Sequence, residues 1–239
     1  TSGDSNVTLY AIYRKEAKTI TITFNKNGST SQTPSGGSVN GANTLTQSCT
    51  IAAVYNNATQ ASSCNITSPT INASTNTPTV VGYNTSASAT SSSWNQNTSK
   101  AVSANATYYA ITRKDAVTLT AKFNANGASL SSSSNQTCTL AATYNGTAQA
   151  TSCTVTAPTI TRSGYTIIGY NTSASSTTNN SSYNTSNKAL TLKTSNNNST
   201  WYAITSKVVT ATFNANGATS IGSTSQSCTM YNTSASCNV

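Results

Sequence analysis

The chain has 239 residues, of which 35% are hydrophobic and only 6% charged, with no histidine and a net charge of +9. Thr, Ser and Asn contribute 47, 40 and 30 residues, so 117 positions carry a short polar side chain. Three acids (Asp4, Glu16 and Asp115) and no imidazole leave too few groups for acid–base catalysis or a divalent-metal site, so the composition points away from an enzyme and implies no cofactor.

The chain does not open on a targeting segment at Thr1, and no run approaches the ~20 apolar residues of a membrane-spanning helix. Residues 1 to 15 end in a strand-like run containing Tyr10-Ala11-Ile12, followed by the charged junction Arg14-Lys15-Glu16. Thr19 to Phe24 then alternates apolar and polar residues, the period of a strand with one buried face, and Asn27-Gly28 supplies a tight turn. Further on come Gln47-Ser48-Cys49-Thr50, Cys64, Gly82-Tyr83-Asn84-Thr85-Ser86-Ala87, a Ser- and Asn-rich stretch around Trp94, and Tyr109-Ala110-Ile111.

The same blocks return in the same order. Phe24 to Gly28 is matched by Phe123 to Gly127 and Phe213 to Gly217, Gln47 to Thr50 by Gln136 to Thr139 and Gln226 to Thr229. Gly82 to Ala87 is matched by Gly169 to Ala174, Trp94 falls opposite Tyr183, and Tyr202-Ala203-Ile204 closes the second copy. We read the chain as repeats: 1–15 the closing strand of a preceding copy, 16–112 repeat A, 113–205 repeat B, and 206–239 the opening part of a further copy. No segment carries a 3.6-residue apolar stripe, so the expected fold is mainly β with little helix.

Six cysteines fall two to a copy: Cys49 with Cys64, Cys138 with Cys153, and Cys228 with Cys237. Each pair brackets a predicted hairpin centred on Asn56-Asn57, Asn145-Gly146 or Asn232-Thr233. Two cysteines without histidine cannot complete a four-ligand metal site, so three disulfides are expected, and with them an oxidising, extracellular or cell-surface location. A strict two-residue turn would put the long pairs at hydrogen-bonded positions and the short pair at a non-hydrogen-bonded one, so the longer hairpins are expected to contain a bulge.

The strand ending in Phe123-Asn124-Ala125-Asn126-Gly127, the run from Pro158 to Thr172 and the closing Ser199 to Ile204 resemble the Listeria-Bacteroides repeat, also called the internalin-type B repeat. The resemblance implies a small β-grasp-like unit, strung in tandem along the stalks of bacterial surface proteins, without catalytic residues. The family usually has Gly-Trp where this chain has Gly82-Tyr83 and Gly169-Tyr170, and an aromatic where it has Thr112 and Thr205.

The basic balance suits an anionic cell wall, but the cations are scattered and no basic stripe is interleaved with aromatics, so no specific nucleic-acid partner is expected. Tyr83, Tyr109, Tyr170 and Tyr202 lie in strand-like runs and read as core. Trp94 and Tyr183, in polar loops, are the candidates for a contact surface toward cell-wall or host glycans. The leading expectation is a structural spacer of a surface adhesin whose partners are neighbouring repeats. A filament subunit built by strand complementation and a glycan-binding module are the alternatives.

Overall fold

A computed structural model describes residues 6–132 and 135–239; Asp4, with the rest of 1 to 5, lies outside the described residues. The chain is mainly β, with one three-residue 3₁₀ turn, Thr194–Asn196, among the described residues. It divides into two compact units, residues 1 to 115 with 142 to 149, and residues 116 to 141 with 150 to 239. The expected junctions near 113 and 206 lie inside continuous strands, Ala106–Lys114 and Thr200–Thr212.

In the first unit, alternation of Ile20, Ile22 and Phe24 with threonine makes Lys18–Asn25 a strand with one buried face, and all three apolar side chains are fully enclosed. This opening strand pairs antiparallel with Thr44–Ile51 over its whole length and, on its other edge, runs parallel to the closing strand Ala106–Lys114. The closing strand pairs antiparallel with Thr79–Asn84. Parallel neighbours need a long crossover, and the intervening chain provides one. It carries two short ladders, Ser31–Thr33 with Thr70–Asn72 and Cys64–Thr67 with Ser99–Val102, whose Ile71, Ile66 and Val102 join the same core.

The other face of the opening pair explains much of the composition. Thr19 stands opposite Thr50, Thr21 opposite Ser48 and Thr23 opposite Thr46, a polar face built from strand-forming residues. The Thr21 and Ser48 hydroxyls are 3.0 Å apart.

The second unit has the same order: Gln136–Leu140, Val117–Asn124, Thr200–Thr212 and Thr166–Asn171. Leu119, Ala121, Tyr170, Leu190, Leu192 and Trp201 are buried in its core. Beyond Thr205 the closing strand continues and pairs with Ser225–Tyr231, from Ser206 opposite Tyr231 to Thr212 opposite Ser225.

All six cysteines are disulfide-bonded: Cys49–Cys64, Cys138–Cys153 and Cys228–Cys237, with Cα separations of 5.9, 6.0 and 5.9 Å. The hairpins expected to hold them differ from the expectation. Among the described residues the arms do not pair with each other: Cys49 sits opposite Ile20, whereas Cys64 sits opposite Val102. Likewise Cys138 faces Leu119 and Cys153 faces Leu192. The two long disulfides therefore join separate ladders, so the hydrogen-bonded and non-hydrogen-bonded positions of a single hairpin do not constrain them.

Candidate functional site: an asparagine clasp

The recurring Asn at the centre of each cysteine segment does more than turn the chain. Asn145 and Gly146 both take positive φ, 55° and 80°, which Asn tolerates and Gly adopts freely. Just before them Tyr144 and Thr143 pair with Arg113 and Lys114, the end of the first unit's closing strand. The Asn145 backbone N–H donates to the Thr112 carbonyl at 2.9 Å, and the Thr112 N–H donates to Asn145 Oδ1 at 3.2 Å. Asn145 Nδ2 donates to the Ala87 carbonyl at 2.8 Å. The Gly146 N–H donates to Thr77 Oγ1 at 3.0 Å, and Thr77 and Thr112 share a hydroxyl hydrogen bond of 2.7 Å, both side chains being fully buried.

A second asparagine completes the clasp. Asn27 Nδ2 donates to the Ala87 carbonyl at 2.9 Å and to the Ala110 carbonyl at 3.0 Å. Its neighbour Gly28 lies backbone to backbone against the tip: a Cβ at Gly28 would stand 2.1 Å from the Asn145 carbonyl oxygen, and one at Gly146 would stand 2.7 Å from that of Gly28. Glycine is required on both sides of this approach.

The second unit forms the same clasp with its own residues. The Asn232 N–H donates to the Thr205 carbonyl at 2.9 Å, and the Thr205 N–H donates to Asn232 Oδ1 at 3.0 Å. Asn232 Nδ2 donates to the Ala174 and Ser176 carbonyls, and Asn126 Nδ2 donates to those of Ala174 and Ala203. Arg162 takes the place of Thr77, donating to Thr205 Oγ1 at 2.9 Å and to the Asn232 carbonyl. Thr112 and Thr205 thus fill buried polar niches where an aromatic ring would remove one hydrogen bond from Thr77 and one from Arg162. Each net hydrogen bond contributes about 1 kcal/mol, but an orphaned buried donor such as the Thr112 N–H would cost about 1–3 kcal/mol.

The expected contact surface is corrected. Trp94 and Tyr183 are 4% and 7% exposed and belong to the cores. Trp94 packs on Phe24 and Tyr108 at centroid distances of 5.4 and 5.0 Å, and Tyr183 packs on Tyr170 at 5.2 Å. Their loops fold back because Gly82, at φ 135°, lets the chain approach: a Cβ there would meet the Trp94 carbonyl oxygen at 2.8 Å. Neither ring presents a face for stacking on a sugar. Tyr83 and Tyr170 are also fully buried, and burial raises the pKa of both hydroxyls, as it does for Tyr183.

Two of the three acids serve exposed local ion pairs, Arg14–Glu16 at 2.8 Å and Arg113–Asp115 at 2.7 Å. Among the described residues no three His, Cys, Asp or Glu side chains group together, and no helix is long and apolar enough to cross a membrane. An open cleft lined by Thr159, Ile167, Tyr183 and Lys188 holds about 250 Å³, below the usual range of small-molecule sites. No family model, curated protein or solved structure matches this chain.

Proposed function

We propose that this chain is a non-enzymatic structural segment of an extracellular bacterial surface protein, a stalk or spacer made of tandem β-grasp-like repeats related to the Listeria-Bacteroides type. The observation that carries the reading is the clasp: twice, the central Asn of one cysteine segment binds the closing strand of the copy before it, through the same backbone and side-chain atoms. A device that joins each copy to the next suits an array whose partners are its own neighbours. The disulfides support a secreted location, since such bonds persist in oxidising compartments.

The test is to stretch the chain between surface anchors under oxidising and reducing conditions. A spacer gives discrete cooperative unfolding events whose contour length grows on reduction, as the disulfide-closed loops are released. Gradual extension without cooperative events would remove the reading.

A second reading, a filament subunit assembled by strand complementation, draws support from exposed apolar side chains. Leu9, Tyr10 and Ile12 are exposed in the segment before the first unit's sheet, and Val208 and Phe213 in the third copy. Sedimentation that found monomers at every concentration would exclude it.

A further inference from the structure

Three equivalent tips occur in the chain, and two of them, at Asn145 and Asn232, are seated in a clasp. The third, Asn56-Asn57, is not. Its local geometry is nevertheless already that of a seated tip. Asn56 and Asn57 take φ of 53° and 61°, and Tyr55 and Val54 pair with Arg14 and Lys15 as Tyr144 and Thr143 pair with Arg113 and Lys114. The Asn56 N–H donates to the Tyr13 carbonyl at 2.9 Å, the counterpart of the bond from Asn145 to Thr112. What is missing is the acceptor body: among the described residues the Asn56 side chain makes no hydrogen bond, and Asn56, Tyr55 and Tyr13 are all exposed.

The geometry points to the Asn56-Asn57 tip as a docking element for one further repeat body, the one whose closing strand is the segment Val7 to Tyr13. That body would present the atoms the seated tips use: a loop carbonyl for Asn56 Nδ2, as at Ala87 and Ala174, and an Asn-Gly turn lying against the tip, as at Asn27-Gly28 and Asn126-Gly127. Asn57 shares the positive φ of Gly146 but carries a Cβ, so the acceptor's turn must stand farther from the tip than Gly28 stands from Gly146, where a Cβ would lie 2.7 Å from the Gly28 carbonyl oxygen.

This inference rests on the repeat reading, and the experiment separates the two. Residues 1 to 13 of the full chain are replaced by a second copy of 16 to 112, so that an added Thr112 precedes Arg14, and amide hydrogen exchange is followed by NMR. Docking predicts that the Asn56 side-chain amide exchanges at least about tenfold more slowly than in the parent chain. It also predicts that Asn56→Gly, which keeps the positive φ, restores fast exchange at the added Thr112 amide. Unchanged exchange at Asn56, with the added copy folded, overturns the docking and leaves the repeat reading standing. An added copy that fails to fold overturns both.

Discussion

Asn145 and Thr112 exchange two hydrogen bonds, the Asn145 N–H to the Thr112 carbonyl and the Thr112 N–H to Asn145 Oδ1, and Asn232 and Thr205 do the same. One short amide side chain thus extends a strand pairing by imitating a backbone. Asn145→Gly keeps the turn but orphans the buried Thr112 N–H, and is expected to destabilise the first unit by about 2–3 kcal/mol. Asn232→Gly should cost the second unit a similar amount. Urea titrations followed by site-specific probes in each unit measure both.

Gly28 and Gly217 close the same sequence block and both hold positive φ, 84° and 92°, but of the two only Gly28 lies against another backbone. Gly217→Ala should cost about 1 kcal/mol, the strain of its conformation alone. Gly28→Ala adds a steric conflict with the Asn145 carbonyl and should cost about 3 kcal/mol or more. Equal melting temperatures for the two variants would count against the clasp.

Much of this was legible in the sequence, and the failures have physical reasons. Alternation at Ile20, Ile22 and Phe24 identified a half-buried strand because the period of two depends on local geometry alone. The cysteine pairs were legible from their spacing. Trp94 and Tyr183 misled because Ser- and Asn-rich surroundings suggest solvent, whereas Gly82 and Gly169 fold those loops back onto the core. The clasp was missed because an Asn-Gly turn signals a hairpin locally. That its side chain binds the closing strand of the first unit depends on long-range packing. Thr112 and Thr205, polar where the resembling family has aromatics, were the available signal.

Gln32 is fully buried, and neither amide atom finds a hydrogen-bond partner of standard geometry. It pairs with Ile71 as Leu130 pairs with Ile160 in the second unit, which makes leucine the natural replacement. Its polar neighbour is the Tyr83 hydroxyl, so Gln32→Leu alone strands that hydroxyl and should cost the first unit about 1 kcal/mol, whereas Gln32→Leu combined with Tyr83→Phe removes both buried polar groups and should recover that loss, read as shifts of the denaturation midpoint.

Burial raises the pKa of Tyr83, Tyr170 and Tyr183 above the ordinary value of 10.0. The folded state therefore holds these protons when the unfolded chain releases them. Their contribution to stability is present below pH 10 and is lost as pH rises from there toward the folded values. Stability should fall progressively above about pH 10, and Tyr83→Phe should flatten part of that fall. A chemical-denaturation series across this range checks both.

The central claim is that the tip around Asn145 belongs energetically to the unit whose closing strand it grips. Native-state hydrogen exchange in Phe24→Ala tests it most directly, because Phe24 is fully buried in the first unit and its loss should cost about 3–5 kcal/mol. The account predicts that the Asn145 amide loses protection in step with Ile22 and Ala110. An Asn145 amide that kept its parent protection while Ile22 and Ala110 lost theirs would contradict it.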